Sequence, residues 1–366
     1  MEHGWRSQNL KYATLLFVLY MSALCAGREL RTEIHDQNLV KHVYEHVYNR
    51  TLAMTLVQYA SAVYMDDLSA LLSWTCSRCN GLTEGFEVIE LIVDIQHCLQ
   101  AFVGIAEDLN AIVIAFRGTQ ENSLQNWVED LFCKKLDLSY PDMPGAMVHH
   151  GFYSAYHNTS LRPRIVEAVQ VAQQKRDGFT IMVTGHSMGG AMAAFCALDL
   201  AVNFGVDDIE VMTFGQPRVG NSIFASYYST LVPKTIRVTH EHDIVPHLPP
   251  YYTHFPRWTY FHFPREVWLY DIGFGSLTYE AEKICDKSGE DPSCSRSVSG
   301  NSVADHLLYY GVSLQSETWG SCGIPWQQAQ MNKADDALDN IIPSVELRAP
   351  LVLPKGQIDS SQHSSM

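Results

Sequence analysis

Ser187 stands in "VTGHSMGGAMAAFCALDL", between Gly185 on one side and Gly189 and Gly190 on the other. A β-branched apolar run precedes it, and an alanine-rich run of helix-favouring residues follows. Small neighbours on both sides of one serine fit a sharp strand-to-helix turn on which the hydroxyl is presented as a nucleophile from a strained backbone. The amide that follows, Met188 N–H, then opens a helix, where developing negative charge is stabilised. A serine hydroxyl is weakly nucleophilic near neutral pH, so it requires a base, and the base requires an orienting acid.

On an elbow of this kind the expected chain order is serine, acid, histidine. Among the acids after Ser187, Asp243 alone ends a β-branched run: "TIRVTHEHDIVPHLPP" is closed by Pro246, Pro249 and Pro250, which places the carboxylate in a loop at a strand's carboxyl end. Asp199 is expected mid-helix, and Asp207 and Asp208 in a solvated connection. Of the later histidines, His306 in "NSVADHLLYYG" follows a polar loop and is expected to begin an apolar helix, with its ring over the sheet edge. It completes the required order. A second donor comes from "AFRGT", where Gly118 lets the chain turn and the Thr119 amide can join Met188 in an oxyanion hole.

The elements that hold these groups are read from short apolar runs, "AIVIAF" (111–116), "TIMVT" (180–184), "IEVMTF" (209–214) and "TIRVT" (235–239), with helical stretches between them. Strands alternating with helices predict an α/β fold with a largely parallel sheet and helices on its faces. Residues 40–75 read as helical. After Thr119, Leu124, Trp127, Val128, Leu131 and Phe132 recur at helical spacing and form one apolar stripe, which fits a core helix and a mobile cover equally well.

The 366 residues are 46% hydrophobic and 18% charged, enough to bury a sizeable core. A formal net charge of −15 disfavours nucleic acid and anionic lipid as charge-driven partners. Arg6 and Lys11 precede the apolar run Tyr12–Ala26, which ends in small residues. That is the pattern of a cleaved secretory leader over residues 1–26, too short for a stable membrane span. Residues 27–325 are expected to form a single domain, and the polar, serine-rich residues 326–366 a disordered tail.

Such a leader takes Cys25 of the nine cysteines with it and sends the other eight to an oxidising compartment. Cys76 and Cys79 suit a short-loop disulfide better than half of a zinc site, Cys285 and Cys294 flank a turn-rich loop that a bridge could close, and Cys196 is expected to be a buried thiol. Spacing leaves Cys98, Cys133 and Cys322 unassigned. Asn49 and Asn158 head glycosylation triplets.

Taken in order, "WTCSRC", "AFRGT", "NWVEDL", "HHGF", "VTGHSMGGAMAAFCALDL", "FGQPRVGN", "HDIVPHLPP", the cysteine-flanked loop and "DHLLYYG" resemble the class 3 lipases, the fungal-type triacylglycerol lipases, and above all their secreted plant relatives. The likeness runs over about residues 75–320. It implies an α/β-hydrolase fold with Ser187 as nucleophile, Asp243 as acid and His306 as base, and an oxyanion hole at Thr119 and Met188. It further implies that the stripe of Leu124, Trp127, Val128 and Leu131 is a lid, and that Cys76–Cys79 and Cys285–Cys294 are bridges. The implied function is hydrolysis of acylglycerol esters at an oil–water or membrane interface, without metal or organic cofactor. A phospholipase or galactolipase using the same site, and a non-catalytic signalling module on the same fold, are the alternatives.

Overall fold

The computed structural model describes residues 47–119, 127–131, 138–252, 259–274 and 277–316. The leader, the tail, Leu124, Cys133 and Cys322 lie outside them. One eight-stranded sheet organises the described chain. In chain order its strands are β1 (Glu87–Asp94), β2 (Leu99–Ala106), β3 (Ala111–Phe116), β4 (Thr180–His186), β5 (Ile209–Phe214), β6 (Thr235–His240), β7 (Glu266–Phe274) and β8 (Leu277–Ile284). They lie side by side in that same order. Pairing is parallel from β3 through β7, and antiparallel for β1–β2, β2–β3 and β7–β8.

The four apolar runs read from the sequence are the four central strands, which are buried on both faces and carry β-branched residues accordingly. Their side chains alternate between two cores. Ile112, Ile114, Phe116, Ile181 and Val183 belong to one, while Ala111, Val113, Ala115, Met182 and Met212 belong to the other.

Helices cover both faces. The first core is completed by α3 (His150–His157), α4 (Leu161–Lys175), α5 (Met188–Phe204) and α6 (Ser222–Leu231). The second is completed by α1 (Arg50–Ala62), with Leu71 of the short α2 (Leu68–Leu72). α5 is apolar nearly all round because it runs through the centre, with Ala191 to Leu200 all buried. It stops at Gly205, whose φ of 63° suits a residue without Cβ.

One sequence expectation is corrected. No apolar helix follows His306. A 3-10 turn over Asp305–Leu307 leads into a two-residue ladder, Leu308–Tyr309 against Val312–Ser313. Tyr310 and Gly311 between them both have positive φ, at 52° and 72°. A Tyr-Gly pair flanked by apolar and β-branched residues makes a tight hairpin, and that turn chemistry prevails over the helical reading of "HLLYY".

Candidate active site

β4 ends at His186, and the chain passes into α5 through one residue, Ser187, held at φ 59° and ψ −130°. This is a disfavoured backbone for a residue with a Cβ, and it is fixed from both sides. Ser187 N–H donates to Phe214 O at 2.9 Å, and Ser187 O accepts from Gly190 N–H at 3.0 Å. The two flanking glycines interlock: a Cβ on Gly185 would lie 2.4 Å from Gly189 C, and one on Gly189 would lie 2.3 Å from Phe116 O. Side chains there would force the turn open.

β6 ends at His240, and the loop after it carries Asp243. The loop carrying His306 is stitched to it. Ser302 pairs with Asp243 as an isolated bridge, Ser302 N–H donates to His242 O at 2.9 Å, and His242 N–H donates to Asp305 Oδ2 at 3.1 Å. His306 Nδ1 then lies 2.9 Å from Asp243 Oδ2. A carboxylate only accepts, so a proton sits on Nδ1, and in the neutral ring Nε2 is then the bare nitrogen.

Asp243 Oδ1 accepts from Val245 N–H at 2.8 Å, and Oδ2 also accepts from the Tyr309 hydroxyl at 2.5 Å. Burial, then the negative charge of Asp243, pushes the Tyr309 phenol well above its ordinary range, which keeps it a donor.

Ser187 and His306 are both fully buried, and neither Ser187 Oγ nor His306 Nε2 has a hydrogen-bond partner among the described residues. Other buried atoms, among them Thr184 Oγ1, Thr213 Oγ1 and His247 Nε2, are also without a partner, so the open state alone does not mark the site. What sets these two apart is that they belong to the serine on the elbow and to a carboxylate-held imidazole, whose neighbourhoods touch at the end of β5. Ser187 is bonded to Phe214, and the next residue, Gly215, packs so closely that a Cβ there would lie 2.8 Å from both His306 Nδ1 and Asp243 Oδ2. The Thr119 hydroxyl lies 3.8 Å from Met188 Sδ, so the two residues expected to supply oxyanion amides are neighbours.

Residues 127–131 are helical. Val128 and Leu131 are buried in the first core, and Trp127 packs against it with its ring 6.1 Å from that of Phe152. Glu129 and Asp130 face outward. Trp127, Val128 and Leu131 of the stripe therefore face the core.

Cys76–Cys79 and Cys285–Cys294 are disulfides, with Cα separations of 4.9 and 6.1 Å, and Cys196 is a buried thiol. Asn49 and Asn158 are exposed. A cleft of about 990 Å³ opens elsewhere, lined by Tyr153, Arg162, Val202, Ile223 and Tyr227 among others. Val202 is near the far end of α5, roughly 22 Å from Ser187 at a rise of about 1.5 Å per residue, so the cleft is separate from the serine.

Comparison with known proteins agrees with this geometry. The profile of the family described as lipase (class 3) matches residues 113–253, which hold Thr119, Ser187 and Asp243. A secreted mono- and diacylglycerol lipase of Fusarium solani is 30% identical over 256 residues, covering 69% of this chain and 70% of that protein. The chain belongs to the class 3 lipase family. A lipase of Rhizomucor miehei is 34% identical over 66% of this chain and 62% of its own length. The chain thus spans about three fifths of that relative. The solved Rhizomucor miehei triacylglyceride lipase superposes with a TM-score of 0.62 at 32% identity, over 73% of this chain and 97% of that one. The class 3 lipase fold is accordingly an α/β-hydrolase sheet, here with antiparallel strands at both edges.

Three contributors to the site have no role that the sequence reading assigned. Tyr309 and Gly215 lie inside "DHLLYYG" and "FGQPRVGN", which carry the resemblance without saying what these two residues do. Tyr64, described below, is more than a hundred residues from the elbow and carries no local pattern.

Proposed function

We propose that the protein is a secreted serine lipase that hydrolyses the carboxylic esters of acylglycerols. The observation that supports this reading is the hydrogen bond of His306 Nδ1 to the Asp243 carboxylate beside the strained Ser187 turn, with Ser187 Oγ and His306 Nε2 both left without a hydrogen-bond partner among the described residues. His306 Nε2 takes the proton from Ser187 as the hydroxyl attacks the ester carbonyl. The amides of Thr119 and Met188 receive the oxyanion. The alcohol fragment leaves with the proton from His306, and water repeats the sequence on the acyl-enzyme to release the fatty acid.

Support comes from relatives: one solved structure, 31% identical over 95% of its length, is of a triacylglycerol lipase whose catalytic centre is a serine-protease triad. The Fusarium solani relative is named for mono- and diacylglycerols. The helical stripe around Trp127, Val128 and Leu131 acts as a lid that turns its apolar side toward lipid at an interface. The leader over residues 1–26, the disulfides and the exposed Asn49 and Asn158 fit passage through the secretory route with glycan attachment. No helix among the described residues is long and apolar enough to cross a membrane. Residues 27–325 form the catalytic domain in this reading, and residues 326–366 follow as a tail.

Purified protein and its Ser187→Ala variant, assayed on tri-, di- and monoacylglycerols, phospholipid and galactolipid, test the proposal. Loss of ester hydrolysis by several orders of magnitude is expected in the variant. Near-normal turnover would refute it, and a preference for phospholipid or galactolipid would redirect the substrate.

A further inference from the structure

Behind the elbow lies a chain of hydrogen bonds that the reaction as written does not use. Gly118 N–H donates to the Tyr64 hydroxyl at 3.1 Å, that hydroxyl lies 2.8 Å from His186 Nδ1, and His186 Nε2 lies 2.7 Å from the main-chain oxygen of His306. Tyr64, His186 and His306 are essentially fully buried.

The two end bonds have fixed directions, and the middle one follows once the ring is neutral. At one end the amide can only donate, so the Tyr64 oxygen accepts there. At the other end a carbonyl can only accept, so His186 Nε2 carries a proton. In a neutral ring Nδ1 is then bare, and the Tyr64 hydroxyl donates to it. Burial, then the neighbouring His306, lowers the His186 pKa well below its ordinary value, in agreement with that state.

The three anchored points belong to three different parts of the site. Gly118 precedes Thr119, His186 precedes Ser187, and His306 is the proposed base. We infer that Tyr64 and His186 are positioning residues: the tyrosine hydroxyl locks His186 in its neutral Nε2–H tautomer, and through it sets the oxyanion strand, the nucleophile and the main chain of the base in one register. The inference rests on the assignment of Ser187, Asp243 and His306 made above.

Two physical consequences make the lock useful. The His306 main chain lies on a 3-10 turn of only three residues, which offers few restraints of its own, so the bond from His186 complements the hold of Asp243 on the ring. The His186 and His306 rings are also 4.3 Å apart, and His306 becomes a cation during acyl transfer. A protonated His186 would place a second positive charge against it. Approach is tight throughout: a Cβ on Gly118 would lie 2.4 Å from the Tyr64 oxygen and 3.0 Å from Ser187 Cβ.

The test combines kinetics with a tautomer readout on the full chain. Tyr64→Phe keeps the ring and removes the hydroxyl. With a soluble short-chain ester, kcat should fall about tenfold, as expected for one buried hydrogen bond of about 1.4 kcal/mol, with KM within twofold. In ¹⁵N-histidine NMR, the native protein should show His186 as a single Nε2–H species that does not titrate between pH 5 and 9, on the order of the range histidine ordinarily spans. The variant should show mixed tautomers. His186→Gln, whose amide can still donate toward His306, should retain more activity than His186→Ala.

A native Nδ1–H tautomer, a Tyr64→Phe variant with undiminished kcat, or a fall in kcat that merely follows the loss of titratable active sites would each overturn the inference. Since the tautomer is read without turnover, an active Ser187→Ala would sink the triad assignment and leave the NMR result standing, so the two failures are told apart.

Discussion

The Tyr309 hydroxyl lies 2.5 Å from Asp243 Oδ2, the same carboxylate oxygen that faces His306 Nδ1. One oxygen thus serves two donors, while the other is held by Val245 N–H. Tyr309→Phe removes a donor from a buried carboxylate without altering the ring packing. A hydrogen bond to a charged group contributes about 1.5–3 kcal/mol, and part of that falls on positioning. We predict a tenfold decrease in kcat on a soluble ester, on the order of that range, with KM unchanged. An unaltered kcat would show that Val245 and His306 suffice to hold the carboxylate.

Val128 and Leu131 fasten the helical stripe to the first core. Full burial of a leucine stabilises by roughly 1.5–3 kcal/mol relative to exposure. Leu131→Ser should therefore loosen the stripe from the core and, if it acts as the proposed lid, shift it toward an open form. The expected result is that the ratio of activity above to below substrate aggregation falls by about fivefold or more. A ratio equal to that of the parent protein would argue that the stripe is only a core helix.

His157 ends α3, stacks on Tyr153 at 4.2 Å, and has its pKa pushed down to about 4 by burial. In the unfolded chain it titrates near its ordinary value of about 6.5. The folded pKa is the lower one, so the unfolded state binds more protons between these values. The stability tied to a neutral His157 is present above about pH 6.5 and is lost as pH falls toward 4. Urea unfolding at pH 7 and pH 4.5 should show the native protein losing about 2 kcal/mol more than His157→Phe across that interval. Equal losses would indicate that His157 is solvated.

Arg218 and Glu290 form a bidentate pair at 2.7 and 2.9 Å with both side chains nearly inaccessible. Burial opposes ionisation of Glu290, but the Arg218 charge and its hydrogen bonds hold the carboxyl below the usual range. Arg218 Nη1 also donates to His247 O and Pro249 O, which braces the proline loop after Asp243. Glu290→Gln leaves an uncompensated buried cation, and unfolding free energy should fall by about 3–5 kcal/mol. A loss below about 1 kcal/mol would mean that water reaches the pair.

Much of the centre of the molecule was legible before any coordinates. Buried parallel strands must be apolar along their whole length, so "AIVIAF" and "IEVMTF" declare themselves with correct limits. Small residues around a strained serine are equally local, and they mark Ser187. The flanks were harder. β1 reads "EVIELIVD" and is half-exposed over most of its length, and β8 pairs only with β7 at the sheet margin, so neither β1 nor β8 carries the continuous apolar run of a central strand. The hairpin after His306 was missed because "HLLYY" satisfies a helical pattern until the Tyr-Gly turn is weighed. Tyr64 and Tyr309 act through contacts made across the fold, which no spacing rule encodes.

The hairpin that carries His306 closes against the earliest described part of the chain. Ser313 O accepts from the Ser61 hydroxyl, Tyr310 meets Tyr48, and the Ser316 hydroxyl donates to Asp66. These contacts span some 250 positions of sequence, so they form only after nearly the whole domain has left the ribosome. A nascent chain therefore holds Ser187 long before His306, and under the function proposed above the cell that makes the protein would meet ester-cleaving power only once synthesis of the domain is complete.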